Sequence, residues 1–155
     1  YRRSDPVISG NRIEKNGVGL LVAYSSYPQI EGNDFLANAM ALKLEFQSSA
    51  WETERGADAR AGQTSAKSAF AGQGMRSVTE DDRRAKRIDG TVDAKGNWWG
   101  AEGTAELLKI GTSGNPSFIH DGKDQATFVD AGEEYPLDKI IHAPWSDVPL
   151  TELKP

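Results

Sequence analysis

The chain has 155 residues, 37% of them hydrophobic, with 18 Lys and Arg against 23 Asp and Glu, a net charge of -5 and no cysteine. The acidic balance argues against a nucleic-acid partner held through phosphates, and no apolar run reaches the roughly 18 residues that membrane insertion as a helix requires. Without thiols there is no disulfide, thiolate nucleophile or thiolate metal site.

Glycine is over-represented, at 16 of 155 residues against roughly 7% in average usage, which points to short elements joined by many turns. The reason lies in the first fifty residues. Pro6-Val-Ile-Ser-Gly-Asn11 lays over Pro28-Gln-Ile-Glu-Gly-Asn33, and the match runs on without a gap through Asn16 and Asn38 to Ser26 and Ser48. Val18, Leu20, Val22 and Tyr24 alternate in the first copy, as do Met40, Leu42, Leu44 and Phe46 in the second. Such alternation predicts short strands with these side chains turned inward. One repeat cannot bury that row alone, whereas stacked repeats share a continuous core. The Gly-Asn pairs supply the bends, and their amides can bond from one layer to the next. That arrangement predicts a buried column of Asn11, Asn33 and Asn97, with Asn16 and Asn38 starting a second.

Residues 50–90 break the period. The stretch is small and polar, and Ser77 to Arg87 reads as a helix, with capping-box spacing from Ser77 to Glu80 and bases at its end. An excursion between stacked layers leaves as a loop on one face. The turn then returns as Gly96-Asn97-Trp98-Trp99-Gly100, with Trp99 where Ile13 and Phe35 fall. A short amphipathic helix is expected over 102–109, followed by Asp121-Gly-Lys-Asp124, a closing strand near Ile140 and Pro144-Trp145.

These repeats resemble right-handed parallel β-helix proteins of the pectate-lyase-like superfamily, in particular its NosD-like and surface-repeat members. The Asn97-Trp-Trp-Gly100 turn and the tail to Leu150 resemble the last coil and closing segment of that group. The resemblance implies an all-β fold: a right-handed parallel β-helix (a solenoid) of about three coils in one domain, 1–155. Coils occupy 5–49 and 91–100, an insertion 50–90 and a C-terminal cap 101–155. It also implies an extracellular, cell-surface or periplasmic location. It does not select an activity, because the superfamily hosts lyases, hydrolases, isomerases and scaffolds.

Candidate chemistry is sparse. Lys43 and Glu45 occupy alternate outward strand positions, as candidate ligand-binding residues or more simply as a solvated pair. Trp98 is aimed outward at the column of Arg12 and Asp34, either as an indole for stacking on a sugar ring or as a residue that the Pro144-Trp145 tail folds over. Asp121 and Asp124 are a candidate Ca²⁺ pair, although a calcium loop normally carries a longer run of acids. The related copper-site maturation proteins share the fold, but His120, His142, Met40 and Met75 do not make a copper site by number or spacing. No cofactor is predicted beyond the Ca²⁺ candidate. A coil starts at Pro6 with nothing before it that could cap it, so the first coil is expected to stack on upstream coils of a longer chain or on a partner subunit. The expected function is a non-catalytic structural or adhesive segment of an envelope or exterior protein. The alternatives are the end of a carbohydrate-active lyase or hydrolase, or a polysaccharide-binding module using Trp98.

Overall fold

The computed structural model describes residues 4–56 and 88–151. Three short strands, β1 (Val7–Ser9), β2 (Arg12–Glu14) and β3 (Val18–Ala23), are followed by β4 (Gln29–Glu31), β5 (Asp34–Leu36) and β6 (Met40–Glu45). Each strand of the second set pairs in parallel with its counterpart in the first, at one shared register. Val7 lies beside Gln29, Arg12 beside Asp34 and Val18 beside Met40. The offset of the sequence repeat is therefore the offset of the hydrogen-bond ladder.

The turns repeat as faithfully as the strands. Gly10, Gly32 and Gly96 all have φ between 66° and 68°, the left-handed conformation that glycine adopts without steric cost. Lys15 and Ala37 share a second left-handed position, and Tyr24 and Phe46 a third. This third pair corrects the expected inward row. Leu42 and Leu44 are buried, but Tyr24 and Phe46 are exposed and stack on each other with ring centroids 5.4 Å apart. Their positive φ turns the chain out of the strand one residue after Ala23 and Glu45, so the alternation stops there.

After β6, Ser48 caps a single helical turn, α1 (Ser49–Trp51), by accepting from Trp51 N at 3.3 Å, and a π-helical turn follows over Glu52–Gly56. The helix predicted over 77–87 lies outside the described residues. The chain returns as β7 (Thr91–Asp93) and the third Gly-Asn turn, which continues the column: Gly32 N donates to Gly96 O and Trp98 N to Asn33 O. Trp99 stacks on Phe35 at 4.9 Å, directly below Ile13 in register.

The third layer is then interrupted. Helix α2 (Gly100–Ile110) starts two residues before the expected Glu102 and ends at Gly111. Only afterwards does β8 (Ile119–His120) complete the layer beneath β6, with Ile119 beside Leu42. An antiparallel hairpin, β9 (Thr127–Asp130) and β10 (Glu133–Pro136), leads to β11 (Lys139–Ile141), which pairs in parallel under β7. Among the described residues strands dominate and the sheets are small. The core is a shared row of Val22, Ile30, Phe35, Leu42, Leu44, Val92, Trp99, Ile119 and Ile140. Full burial of each such Ile, Leu or Phe contributes roughly 1.5–3 kcal/mol.

Candidate functional site

The asparagines form two polar columns. Asn33 Oδ1 accepts from Asn11 N at 3.1 Å and Asn11 Nδ2 at 2.9 Å, and Asn97 Oδ1 accepts the same pair from Asn33 at 2.9 and 3.0 Å. Each lower amide also reaches up to a carbonyl: Asn33 Nδ2 to Ile8 O and Asn97 Nδ2 to Ile30 O, both at 2.7 Å. Asn16 and Asn38 repeat the pattern, at 3.0 and 3.1 Å to Asn38 Oδ1. The expectation of uniform burial needs correcting, however. Asn33 and Asn97 are fully buried, Asn38 is half-buried, and Asn11 and Asn16 are exposed, with no layer above them among the described residues.

Lys43 and Glu45 are brought together. Lys43 Nζ lies 3.1 Å from Glu45 Oε1, both half-exposed, and Lys43 sits between Leu21 and His120 in the strand register. Trp98 does not join them. It bridges to Asp34 on another row, and at 9% exposure it offers no open indole face, in keeping with the covered alternative rather than the outward stacking platform. The closing tail lies along this row. Ser146 N donates to Asn97 O at 2.9 Å, and Leu150 N and Thr151 N donate to the two carboxylate oxygens of Asp34 at 2.9 and 3.0 Å, with Thr151 Oγ1 adding a third bond. Asp34, expected beside an exposed indole, is itself fully buried.

The Ca²⁺ candidates serve the main chain instead. Asp121 is buried and accepts from Lys123 N at 2.7 Å and Ile140 N at 2.6 Å, tying the turn to β11. Asp124 accepts from Asp121 N at 3.0 Å and Asn115 Nδ2 at 2.8 Å. Among the described residues no three His, Asp or Glu side chains converge, and the bonds that Asp121 and Asp124 accept lock the turn. His142 is buried with its ring stacked on Trp145, and its Nε2 has no partner among the described residues. Burial pushes its pKa down, Lys123 adds to that, and Asp121 opposes it.

Nothing in the periodic pattern pointed to one further cluster. Asp138 accepts from Ser49 N and Ser49 Oγ at 2.9 Å each and from Tyr27 OH at 3.1 Å, while Gly90 N donates to Ser49 Oγ at 2.9 Å. Burial raises the Asp138 carboxyl above the ordinary range, against the lowering effect of these bonds. Burial and the Asp138 charge together drive the Tyr27 phenol upward. The cluster fastens both ends of the 50–90 excursion to the closing segment. Its members are separated by up to 111 residues and share no motif that a sequence could display.

A family model described as periplasmic copper-binding protein (NosD) matches residues 1–102, from the start of the first repeat through the third turn. The chain belongs to the NosD family. That membership carries a periplasmic or extracellular location, and among the described residues no helix is long and apolar enough to cross a membrane. No curated protein and no solved structure matches the chain.

The NosD description implies copper, which soft or imidazole donors hold when several converge. This chain has no cysteine, and Met75 lies outside the described residues. His142 offers one buried nitrogen packed against an indole, without a cluster of donors around it. The described residues therefore do not fit a copper centre.

Proposed function

We propose that the chain is a non-catalytic structural segment of a right-handed parallel β-helix in a periplasmic or extracellular protein, with the pectate-lyase-like architecture that its repeats resemble. The single observation that carries this reading is the asparagine column Asn11, Asn33 and Asn97, which runs through three successive layers at the register of the parallel strands. Buried side-chain amides spent on holding layers together make the stack rigid, as a scaffold requires. The outward strand positions support the same reading, because Lys43 and Glu45 pair with each other. The right hand follows from the general preference of parallel strand crossovers.

Affinity electrophoresis in polygalacturonate, alginate and other acidic or neutral polysaccharides tests this reading, together with assays for release of unsaturated or reducing ends. Unretarded migration and no release are expected. Retardation that is lost in Lys43→Ala, or any release of sugar ends, would overturn the scaffold in favour of a carbohydrate-active protein.

A further inference from the structure

His142 follows β11, is 2% exposed, and stacks on Trp145 with ring centroids 6.2 Å apart. Its Nε2 has no hydrogen-bond partner among the described residues. A neutral imidazole sits there with one nitrogen unserved, whereas an imidazolium would bring a full charge and two donors into the same dry site. The charged groups that bear on the ring come from the turn after β8: Lys123, which opposes a positive ring, and Asp121, which favours it. Asp121 is already committed, one oxygen to Lys123 N and the other to Ile140 N. In the turn after β7, Asp93 and Lys95 pair with each other at 3.1 Å, and in the closing segment Asp147 is exposed. The His142–Trp145 stack begins a series of contacts that fasten 142–151 to the strands. Gly96 N donates to Pro144 O at 2.7 Å, Ser146 N to Asn97 O at 2.9 Å, and Leu150 N and Thr151 N to Asp34. This strap lies over the row of Trp98 and Asp34, which are both buried.

We infer that His142 is a proton-operated latch on this strap: protonation expels the ring from its place against Trp145, loosens residues 144–151 while the strands stay folded, and uncovers the row of Trp98 and Asp34. The device goes beyond the scaffold reading and does not depend on it. A periplasmic or extracellular chain meets the pH of its surroundings, and histidine is the side chain whose ordinary titration falls in that range. Burial, chiefly, and Lys123 lower the His142 pKa from 6.5. The strap is therefore fully closed above 6.5 and opens as pH falls through the lower, folded value.

The test follows amide exchange in the intact chain from about pH 8 to about pH 5, with rates corrected for the intrinsic pH dependence of exchange. Residues 145–151 should lose about tenfold or more of their protection across the transition and regain it on return to neutrality, while β6 stays protected throughout. His142→Phe keeps a ring against Trp145 and should abolish the loss. Lys123→Gln removes the charge that opposes a positive ring and should move the midpoint to higher pH, a shift that a packing role alone does not produce. A strap that stays protected across the range overturns the inference, as does loss of protection in β6 together with the strap. A transition retained in His142→Phe assigns the opening to another group, Asp34 foremost, and overturns it as well. So does a midpoint that Lys123→Gln leaves in place or lowers. None of these readouts depends on polysaccharide binding, so failure here is distinct from failure of the scaffold reading.

Discussion

Asn33 Oδ1 receives both the main-chain N–H and the side-chain amide of Asn11, one layer above, at 3.1 and 2.9 Å. One oxygen thus satisfies two donors of the neighbouring repeat, while the same residue's Nδ2 reaches Ile8 O, Glu31 O and Asn97 Oδ1. Asn33→Ala strips these groups of partners in a dry site and is expected to cost about 2–4 kcal/mol. Asn16→Ala, at the exposed top of the second column, should cost less than about 1 kcal/mol. Urea unfolding of the two variants measures the contrast.

Gly19 and Gly17 make a sharper pair. A Cβ on Gly19 would sit 2.7 Å from Ala41 O, a backbone atom of the next layer, while one on Gly17 meets nothing within 4 Å. Gly19→Ala must push two strands apart and should destabilise by about 1–3 kcal/mol. Gly17→Ala should be close to neutral. Melting temperatures of the two variants are sufficient to check this.

Asp34 anchors the tail. With Asp34→Ala, Leu150 N and Thr151 N lose their acceptors, and residues 146–151 should exchange their amides rapidly and become open to protease. The cost is about 1–3 kcal/mol for the donors left without partners. Mass-spectrometric peptide mapping after brief proteolysis reads the result, and unchanged protection of the tail would count against the anchor.

Asp138 contributes a pH dependence of known sign. Its carboxyl is raised from 3.8 by burial, so the folded chain holds the proton more tightly than the unfolded one. The associated stability is present below 3.8 and is lost as pH rises through the folded value. Asp138→Asn keeps an acceptor for Ser49 N, and the hydroxyls of Ser49 and Tyr27 can turn to meet the new amide. The variant should lack this loss on going from about pH 4 to neutrality, as measured by denaturation at a series of pH values.

His142 acts in the opposite direction. Its pKa is lowered from 6.5, chiefly by burial, so its contribution is complete above 6.5 and lost as pH falls through the folded value. Protonation would place an imidazolium near Lys123, only partly offset by Asp121. His142→Phe keeps a ring against Trp145 and should flatten the acid side of the stability profile. An acid limb identical to that of the parent chain would assign the effect elsewhere.

The legible part of this fold is its period. Gly10, Gly32 and Gly96 mark one bend, and the asparagine after each marks one column, so a gapless match placed strands β1 to β6 in register. The limits have physical causes. Tyr24 and Phe46 fit the alternation but leave the strand at a left-handed residue, a backbone choice that polarity does not reveal. Trp98 also fitted an outward position, and it is covered by a tail bound to Asp34 across more than a hundred residues. β8 could not be found by period at all, because helix α2 intervenes before Ile119 reaches Leu42. The Tyr27, Ser49 and Asp138 cluster joins three distant segments through hydrogen bonds, and no spacing encodes it.

The bond from Gly90 N to Ser49 Oγ closes a gate at the root of the excursion. Because departure and return meet at one contact, the count of residues between them is uncoupled from the strand register. A residue gained or lost within a strand between Val18 and Met40 would turn the side chains beyond it to the wrong face, whereas the Ser49 and Gly90 contact keeps the register of β7 independent of the number of residues between Gly56 and Gly90. This root is thus an address where the chain can change length without disturbing its own arithmetic.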